Sequence, residues 1–257
     1  MKRYRAVLTG ASGGIGRAIA AALGPHCDEL VLVGRDAPRL AECKDRAGPT
    51  ARVVLADLAT PAGRDAVSLP GINLLINNAG AGDFAWLAQQ SDATLERIVA
   101  TNVLVPMQLT RRLLPELERQ PQAWIVNVGS IMGYLGYPGQ AAYCASKFAL
   151  RGFSEALRRE LADGPVRVLY LAPRATRTAM NGDGVCALNA ELGVAMDDPA
   201  VVARELVALL ERPARERLLG MPEALFARLN QLVPGLVDRA LRRQLSIIRR
   251  HAPASSK

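Results

Sequence analysis

The sequence predicts a doubly wound α/β fold: a parallel sheet with helices on both faces, in a single large domain. Three observations point there. Apolar, strand-like runs alternate with helix-period segments from the first residues onward. Those runs carry Val and Leu without polar alternation, the pattern of strands covered on both sides. A glycine-rich turn separates the first strand from the first helix, and strands joined through helices build right-handed βαβ units. At 257 residues, half of them apolar, the chain can bury one substantial core.

In order, residues 5–9 form the first strand and residues 15–23 the first helix. Residues 29–33 are the second strand, followed by a helix from Pro38. Strands over 52–56, 74–77, 123–128 and 167–171 continue the alternation. Residues 179–198, with Gly182, Gly184 and Gly193 and weak periodicity, are expected to be an irregular lid or loop. Asp197 and Asp198 precede Pro199, a cap and first turn for a helix reaching Leu210. Leu225, Leu229, Leu232, Leu236, Val237, Leu241, Leu245 and Ile248 then recur at spacings of three and four. Pro234-Gly235 breaks this stripe into two helices. The chain therefore divides into a core, 1–222, and a basic amphipathic helical extension, 223–257.

Composition narrows the function classes. Cys27, Cys43, Cys144 and Cys186 are scattered without CxxC spacing, so neither a disulfide framework nor a zinc knuckle is expected. His26 and His251 are the only histidines, which leaves almost no material for a histidine triad or a metal site. The start Met1-Lys2-Arg3-Tyr4-Arg5 leads into a strand rather than a signal peptide, and no apolar run has spanning length. A cytoplasmic protein is expected. The formal charge is +8, and from Glu223 onward seven basic residues face two acidic ones, a net of +5. Without stacking aromatics or a groove-reading motif, nucleic-acid binding is not expected. Arg228, Arg239, Arg242, Arg243, Arg249 and Arg250 frame the apolar stripe, as in helices that lie on anionic membranes. The alternative is a helix pair packed over the substrate cleft or a subunit seam, and this alternative is favoured because apolar stripes most often pack within protein.

Two constellations carry chemistry. Thr9-Gly10-Ala11-Ser12-Gly13-Gly14-Ile15-Gly16 closes the first strand and opens the first helix. Glycines there let backbone approach a pyrophosphate, whose charge the helix N-terminus holds. Tyr143-Cys144-Ala145-Ser146-Lys147 opens a later helix, and a separation of four puts Tyr and Lys on one face. A phenol of pKa ~10 is a poor base near neutrality; a fixed ammonium nearby is expected to favour phenolate, and a fall of two or three units would need roughly 3–4 kcal/mol. Ser130 ends the strand run Val126-Asn127-Val128-Gly129, 13 residues before Tyr143. Ligands in open parallel sheets bind beyond the carboxyl ends of strands, so Ser130 and Tyr143 meet over the same ligand.

The spacing Gly10-x-x-x-Gly14-x-Gly16, with Asn77-Asn78-Ala79-Gly80, Ser130 and Tyr143-x-x-x-Lys147, resembles the short-chain dehydrogenase/reductase family over residues 5 to about 210. The resemblance implies a Rossmann-like, three-layer α/β/α domain and a catalytic set of Ser130, Tyr143, Lys147 and Asn102. Tyr143 would donate the proton and Ser130 steady the substrate oxygen. Lys147 would tune Tyr143 and bind the nicotinamide ribose, while Asn102 would order a helix and hold a water linking Lys147 to solvent. A buried, capping Asn is the competing reading for that last position. Gly10, Ser12, Gly13, Gly14, Ile15 and Gly16 would hold the pyrophosphate. Asp57 and Leu58 would contact adenine, and Asn78, Ala79 and Gly80 would stand beside the cofactor. Tyr143, Lys147, Pro173, Thr176 and Thr178 would meet the nicotinamide end.

Gly34 sits where NAD-preferring members carry Asp, and Arg35 follows where NADP-preferring members are basic, so NADP(H) is favoured over NAD(H). Asp36, near the usual spacing of a ribose-binding acid, and Gly13, where many NADP-dependent relatives are basic, point the other way. One departure is Arg174, in place of the usual glycine after Pro173. It is read as bending away, pairing with cofactor phosphate or meeting an anionic substrate. Met180, Val185, Leu188, Leu192, Val194 and Met196 suggest an apolar or acyl-chain-like carbonyl or alcohol substrate. A non-catalytic NADP(H)-binding regulator is the alternative, and an epimerase of the extended branch would want a different glycine spacing. The helices near Asn102 and Tyr143 carry stripes (Leu104, Leu109, Leu113, Leu117; Phe148, Phe153, Leu157, Leu161) wider than one sheet face needs, implying a homodimer or homotetramer.

Overall fold

Ala6, Val7 and Leu8 in strand β1 (Tyr4–Thr9) are all fully buried, which explains why the strand runs lack polar alternation: both faces of the sheet are covered. The computed structural model describes residues 3–252; Met1, Lys2 and Lys257, part of the basic ends noted above, lie outside the described residues. Seven strands, all parallel, lie in the order β3-β2-β1-β4-β5-β6-β7. The others are β2 (Cys27–Gly34), β3 (Ala51–Leu55), β4 (Leu74–Asn77), β5 (Ala123–Val128), β6 (Val166–Ala172) and β7 (Glu216–Leu218). Strand order reverses between β1 and β4, so the loops leaving those two strands part and open a crevice.

On one face α1 (Gly14–Leu23) packs with α2 (Ala37–Ala47) and α8 (Pro199–Glu211), burying Ile19, Leu23, Leu40 and Leu206 against Leu8, Leu30 and Leu32. On the other, α5 (Val105–Glu118) and α6 (Ala141–Glu160) bury Leu109, Leu113 and Leu157 against Val7, Val31 and Ile125. The short α3 (Pro61–Asp65) and α4 (Asp92–Val99) lie on the crossovers, and a π-turn, Ala100–Leu104, joins α4 to α5. The helix starts follow side-chain chemistry: Asp36, Thr60, Ser91 and Asp198 each accept a backbone N–H of the first turn.

Two elements depart from expectation. Residues 179–198 contain a helix, α7 (Asp183–Glu191), in which only Leu188 is buried. A surface helix with one buried side chain leaves no apolar period to read. The edge strand β7 was missed because it is three residues, Glu216-Arg217-Leu218, with two charges. The tail forms α9 (Met221–Leu232) and α10 (Pro234–His251), divided at Val233 as Pro234 requires. Asn230 donates to the Tyr134 carbonyl at 2.8 Å, tying α9 to the turn after β5. His251 meets Glu191 of α7 at 2.6 Å. The stripes on α5 and α6 are narrower than expected: Leu109, Leu113, Leu117, Leu157 and Leu161 are spent on the chain's own core, while Leu104 and Phe148 remain exposed.

Candidate active site

The glycine loop is shaped by close approach. Gly10 has φ +65°, and a Cβ there would stand 2.7 Å from the Ala79 Cα. A Cβ on Gly14 would meet Thr178 Cγ2 at 2.7 Å, and one on Gly16 the Gly10 carbonyl at 2.2 Å. A Cβ on Gly13 would make only ordinary contact, 3.4 Å from the Gly10 carbonyl, so its lack of a side chain is not a packing demand. The first turn of α1 has neither a side-chain cap nor an acid, which leaves its N–H groups facing the groove as an anion seat. The groove holds about 1360 Å³ and is lined by Gly10, Ser12, Gly14, Ile15, Asp57 and Gly80, among others.

Its floor is a hydrogen-bonded frame. Thr9 Oγ1 accepts the N–H groups of Asn78 and Ala79, both at 3.0 Å. Asn78 Nδ2 donates to the carbonyls of Thr9 at 3.0 Å and Gly10 at 3.2 Å. The Asn78 side chain is thus occupied in holding the glycine loop. Leu58 is mostly buried yet lines the groove beside Asp57, which is exposed on it. The Asp36 carboxylate caps α2 through Arg39 N–H at 3.0 Å and lies 3.3 Å from the Arg39 guanidinium. Arg35 is exposed at the groove with Arg17, Arg39 and Arg46, a basic cluster of which only Arg35 was singled out from the sequence.

At the carboxyl end of β5, Ser130 accepts the Met132 N–H at 3.1 Å, and its hydroxyl is hydrogen-bonded to the Tyr143 phenol. Lys147, one turn along α6, is buried; its Nζ donates to the Val128 carbonyl at 3.1 Å and lies 5.7 Å from the Tyr143 ring centre. Gly129 and Gly133 keep this turn tight, since Cβ atoms there would strike the Tyr170 ring and hydroxyl at 2.0 and 2.6 Å.

Asn102 is fully buried in the π-turn. Its Oδ1 accepts Ala81 N–H at 2.7 Å, and its Nδ2 donates to Ala81 O and Ser146 Oγ, both at 2.8 Å. It therefore braces the loop after β4 instead of capping a helix. The residue four places on is Pro106, which has no N–H to offer, so the Asn102 carbonyl lacks its α-helical donor. A Cβ on Gly80 would lie 3.5 Å from Asn102 Oδ1 and 3.8 Å from Lys147 Nζ, so both residues border one spot beside the groove. Thr9 and Ser146, which hold this frame, sat inside the sequence motifs without being assigned work.

One electrostatic expectation is overturned. Tyr143 is not drawn down; burial pushes its phenol up to about 12, opposed by the Ser130 hydrogen bond. Burial also brings Lys147 down to about 8. The ammonium is turned to the Val128 carbonyl, so desolvation of the phenol outweighs its attraction.

Beyond Ser130 and Tyr143 the crevice widens into a cleft of about 780 Å³. Met180, Val185, Leu188 and Val194 line it as expected; Leu192 and Met196 do not. Phe84, Met132, Leu135, and Phe226, Val237 and Leu241 from the tail complete the walls. Thr178 lines both groove and cleft, while Pro173 and Thr176 line the cleft alone. Arg174 turns from the cofactor groove: its Nη2 meets Asp197 Oδ1 at 2.7 Å and its Nη1 meets Glu223 Oε2 at 3.4 Å, locking the loop after β6 to α9.

Comparison with known proteins agrees with this geometry. The sequence profile described as short chain dehydrogenase matches residues 4–185. The chain is 31% identical to the dehydrogenase/reductase SDR family member 7B of Bos taurus, across 91% of this chain and 79% of that one. A short-chain dehydrogenase/reductase from Burkholderia phymatum, solved in complex with NAD, superposes with a TM-score of 0.79 at 25% identity over 91% of this chain and 94% of that chain. A serine dehydrogenase complexed with NADP+ superposes with a TM-score of 0.76 at 26% identity over 83% and 93%. From the glycine loop to the Tyr-Lys helix, this chain belongs to the short-chain dehydrogenase/reductase family of NAD(P)-binding oxidoreductases.

Proposed function

We propose that the protein is an NADP(H)-dependent reductase converting an apolar, acyl-chain-like carbonyl compound to its alcohol. The observation that carries this reading is the pairing of Ser130 and Tyr143 on the wall of an apolar cleft that shares Ile15, Gly82 and Thr178 with a phosphate-seating groove. The uncapped first turn of α1 and the exposed Gly13 fit a dinucleotide's pyrophosphate. Arg35, with Arg39 and Arg17 beside it and Asp36 engaged in its own helix, supports a 2′-phosphate over a bare ribose.

A nicotinamide cofactor, held in that groove by the glycine loop and the first turn of α1, would supply a hydride to the carbonyl carbon. Tyr143 gives its phenol proton to the carbonyl oxygen, and a pKa held up at about 12 keeps that proton in place at neutral pH. Ser130 donates a hydrogen bond to the same oxygen. The phenolate left behind faces the Lys147 ammonium at 5.7 Å from the ring centre. A charge pair at that range contributes roughly 3 kcal/mol at an effective dielectric near 20. Lys147 passes a proton to that phenolate, and a water held at the Asn102 carbonyl, whose α-helical donor position is Pro106, returns one to Lys147 from solvent. Hydride, proton and carbonyl together give the alcohol.

The exposed Leu104 and Phe148 form the face through which we propose that two copies pair. The test of function is NADPH consumption, followed optically, across ketones and aldehydes of increasing chain length. Turnover that prefers NADPH and rises with chain length supports the reading; preference for NADH or for short polar sugars overturns it.

A further inference from the structure

The tail has two working sides, and the cleft uses only one. On α9, Ala227 is buried inward, while Met221, Leu225 and Leu232, spaced by four and seven, share the opposite side. These three are 81%, 56% and 79% exposed, and Val233 and Leu236 at the elbow, 52% and 54% exposed, extend the patch. Five large aliphatic side chains in one run of 16 residues is far from the scattered single exposures of an ordinary surface.

Charge surrounds this patch. α10 buries Val237 and Ile248 and turns Arg239, Arg242 and Arg243 outward. None of these, nor Arg228 on α9, has an acidic partner among the described residues. Arg250, by contrast, is held by Glu191, and Glu223 is held by Arg174. Asp238 is the one exposed acid on α9 and α10 themselves among the described residues.

We propose that this face of α9 and α10 docks on an anionic membrane surface, with the aliphatic side chains at headgroup depth and the arginines on lipid phosphates. Aliphatic side chains flanked by unpaired arginines match the layered chemistry of a lipid interface. A second copy of the chain fits poorly, because a two-fold axis through the patch would set the same arginines against each other. The contact is peripheral, as no described helix is long and apolar enough to cross a membrane. Phe226, Val237 and Leu241 line the cleft from these same helices, so docking brings the apolar cleft beside lipid. The docking itself does not depend on which reaction the cleft performs.

The experiment is co-sedimentation of the full-length protein with phosphatidylcholine vesicles, with and without about one-third phosphatidylglycerol, at low and high salt. Binding is expected only to the anionic vesicles, falling roughly tenfold or more at high salt. Leu225→Asp with Leu232→Asp, and separately Arg239→Glu with Arg243→Glu, should each weaken binding roughly tenfold while circular dichroism and cofactor binding stay unchanged. Wild-type protein that ignores anionic vesicles at low salt overturns the proposal. Binding that survives both double variants does the same. So does a leucine variant whose particle mass drops in light scattering, which would make the patch a contact between copies.

Discussion

The groove and the cleft meet beside Tyr143, at Gly82 and Thr178, but are built by opposite means. The groove's floor is backbone braced by short polar side chains: Thr9, Asn78 and Asn102 make hydrogen bonds of 2.7–3.2 Å to loops that a Cβ on Gly10 would displace, and Ser146 holds Asn102 at 2.8 Å. The cleft is large apolar side chains from the loops after β4, β5 and β6 and from both tail helices, with few polar ties. Its main locks are Arg174 to Asp197 and Glu223, and His251 to Glu191. A hydrogen-bonded frame holds atoms to tenths of an ångström, as proton transfer demands. Apolar walls set shape and can be exchanged one side chain at a time. Chemistry and specificity therefore sit in parts of the molecule with different tolerance to change.

Substitutions should expose that difference. The largest effect is expected at Tyr143→Phe, which removes the proton donor from an intact frame: kcat should fall by roughly 10³-fold or more, with NADPH affinity within about threefold by calorimetry. Arg35→Asp comes next, weakening NADPH roughly 10- to 100-fold while NADH changes little or improves. Equal loss of both cofactors would mean that Arg35 does not read the 2′-phosphate. In the cleft, Phe226→Ala should raise KM for long-chain carbonyl substrates about tenfold and leave kcat and short aldehydes nearly untouched.

The smallest effect is in pH. With Lys147 at about 8, kcat/KM for reduction should be level below pH 8 and decline above it as the ammonium is lost. The stability consequence runs the other way. The unfolded lysine keeps its proton to its ordinary value near 10.5, so between about pH 8 and 10.5 the unfolded chain binds more protons and this group's contribution to stability rises with pH. Urea melts of wild type and Lys147→Met across that window should converge as the buried charge is discharged.

What could be read in advance follows the same division. The groove's residues lie in short motifs at strand ends, where glycine spacing and a four-residue helical step are local properties of the chain. Hence Gly10 to Gly16, Ser130, Tyr143 and Lys147 were legible, as was the parallel sheet from its unalternated strands. The fate of Arg174 was not, because its partners Asp197 and Glu223 lie 23 and 49 residues away. Nor was α7, whose surface position leaves no apolar period, nor the cleft role of Phe226, which comes from a tail beyond the family's motifs. The Tyr143 pKa was misjudged for a physical reason: spacing shows that Lys147 is near but not how dry the phenol is.

The most direct test of this account is NADPH oxidation by wild type and Tyr143→Phe, measured side by side over carbonyl compounds of increasing chain length. The account predicts that wild-type kcat/KM climbs with chain length, while the variant stays near background for every compound yet still binds NADPH. Turnover by Tyr143→Phe within about tenfold of wild type, on any compound the wild type reduces, would contradict it.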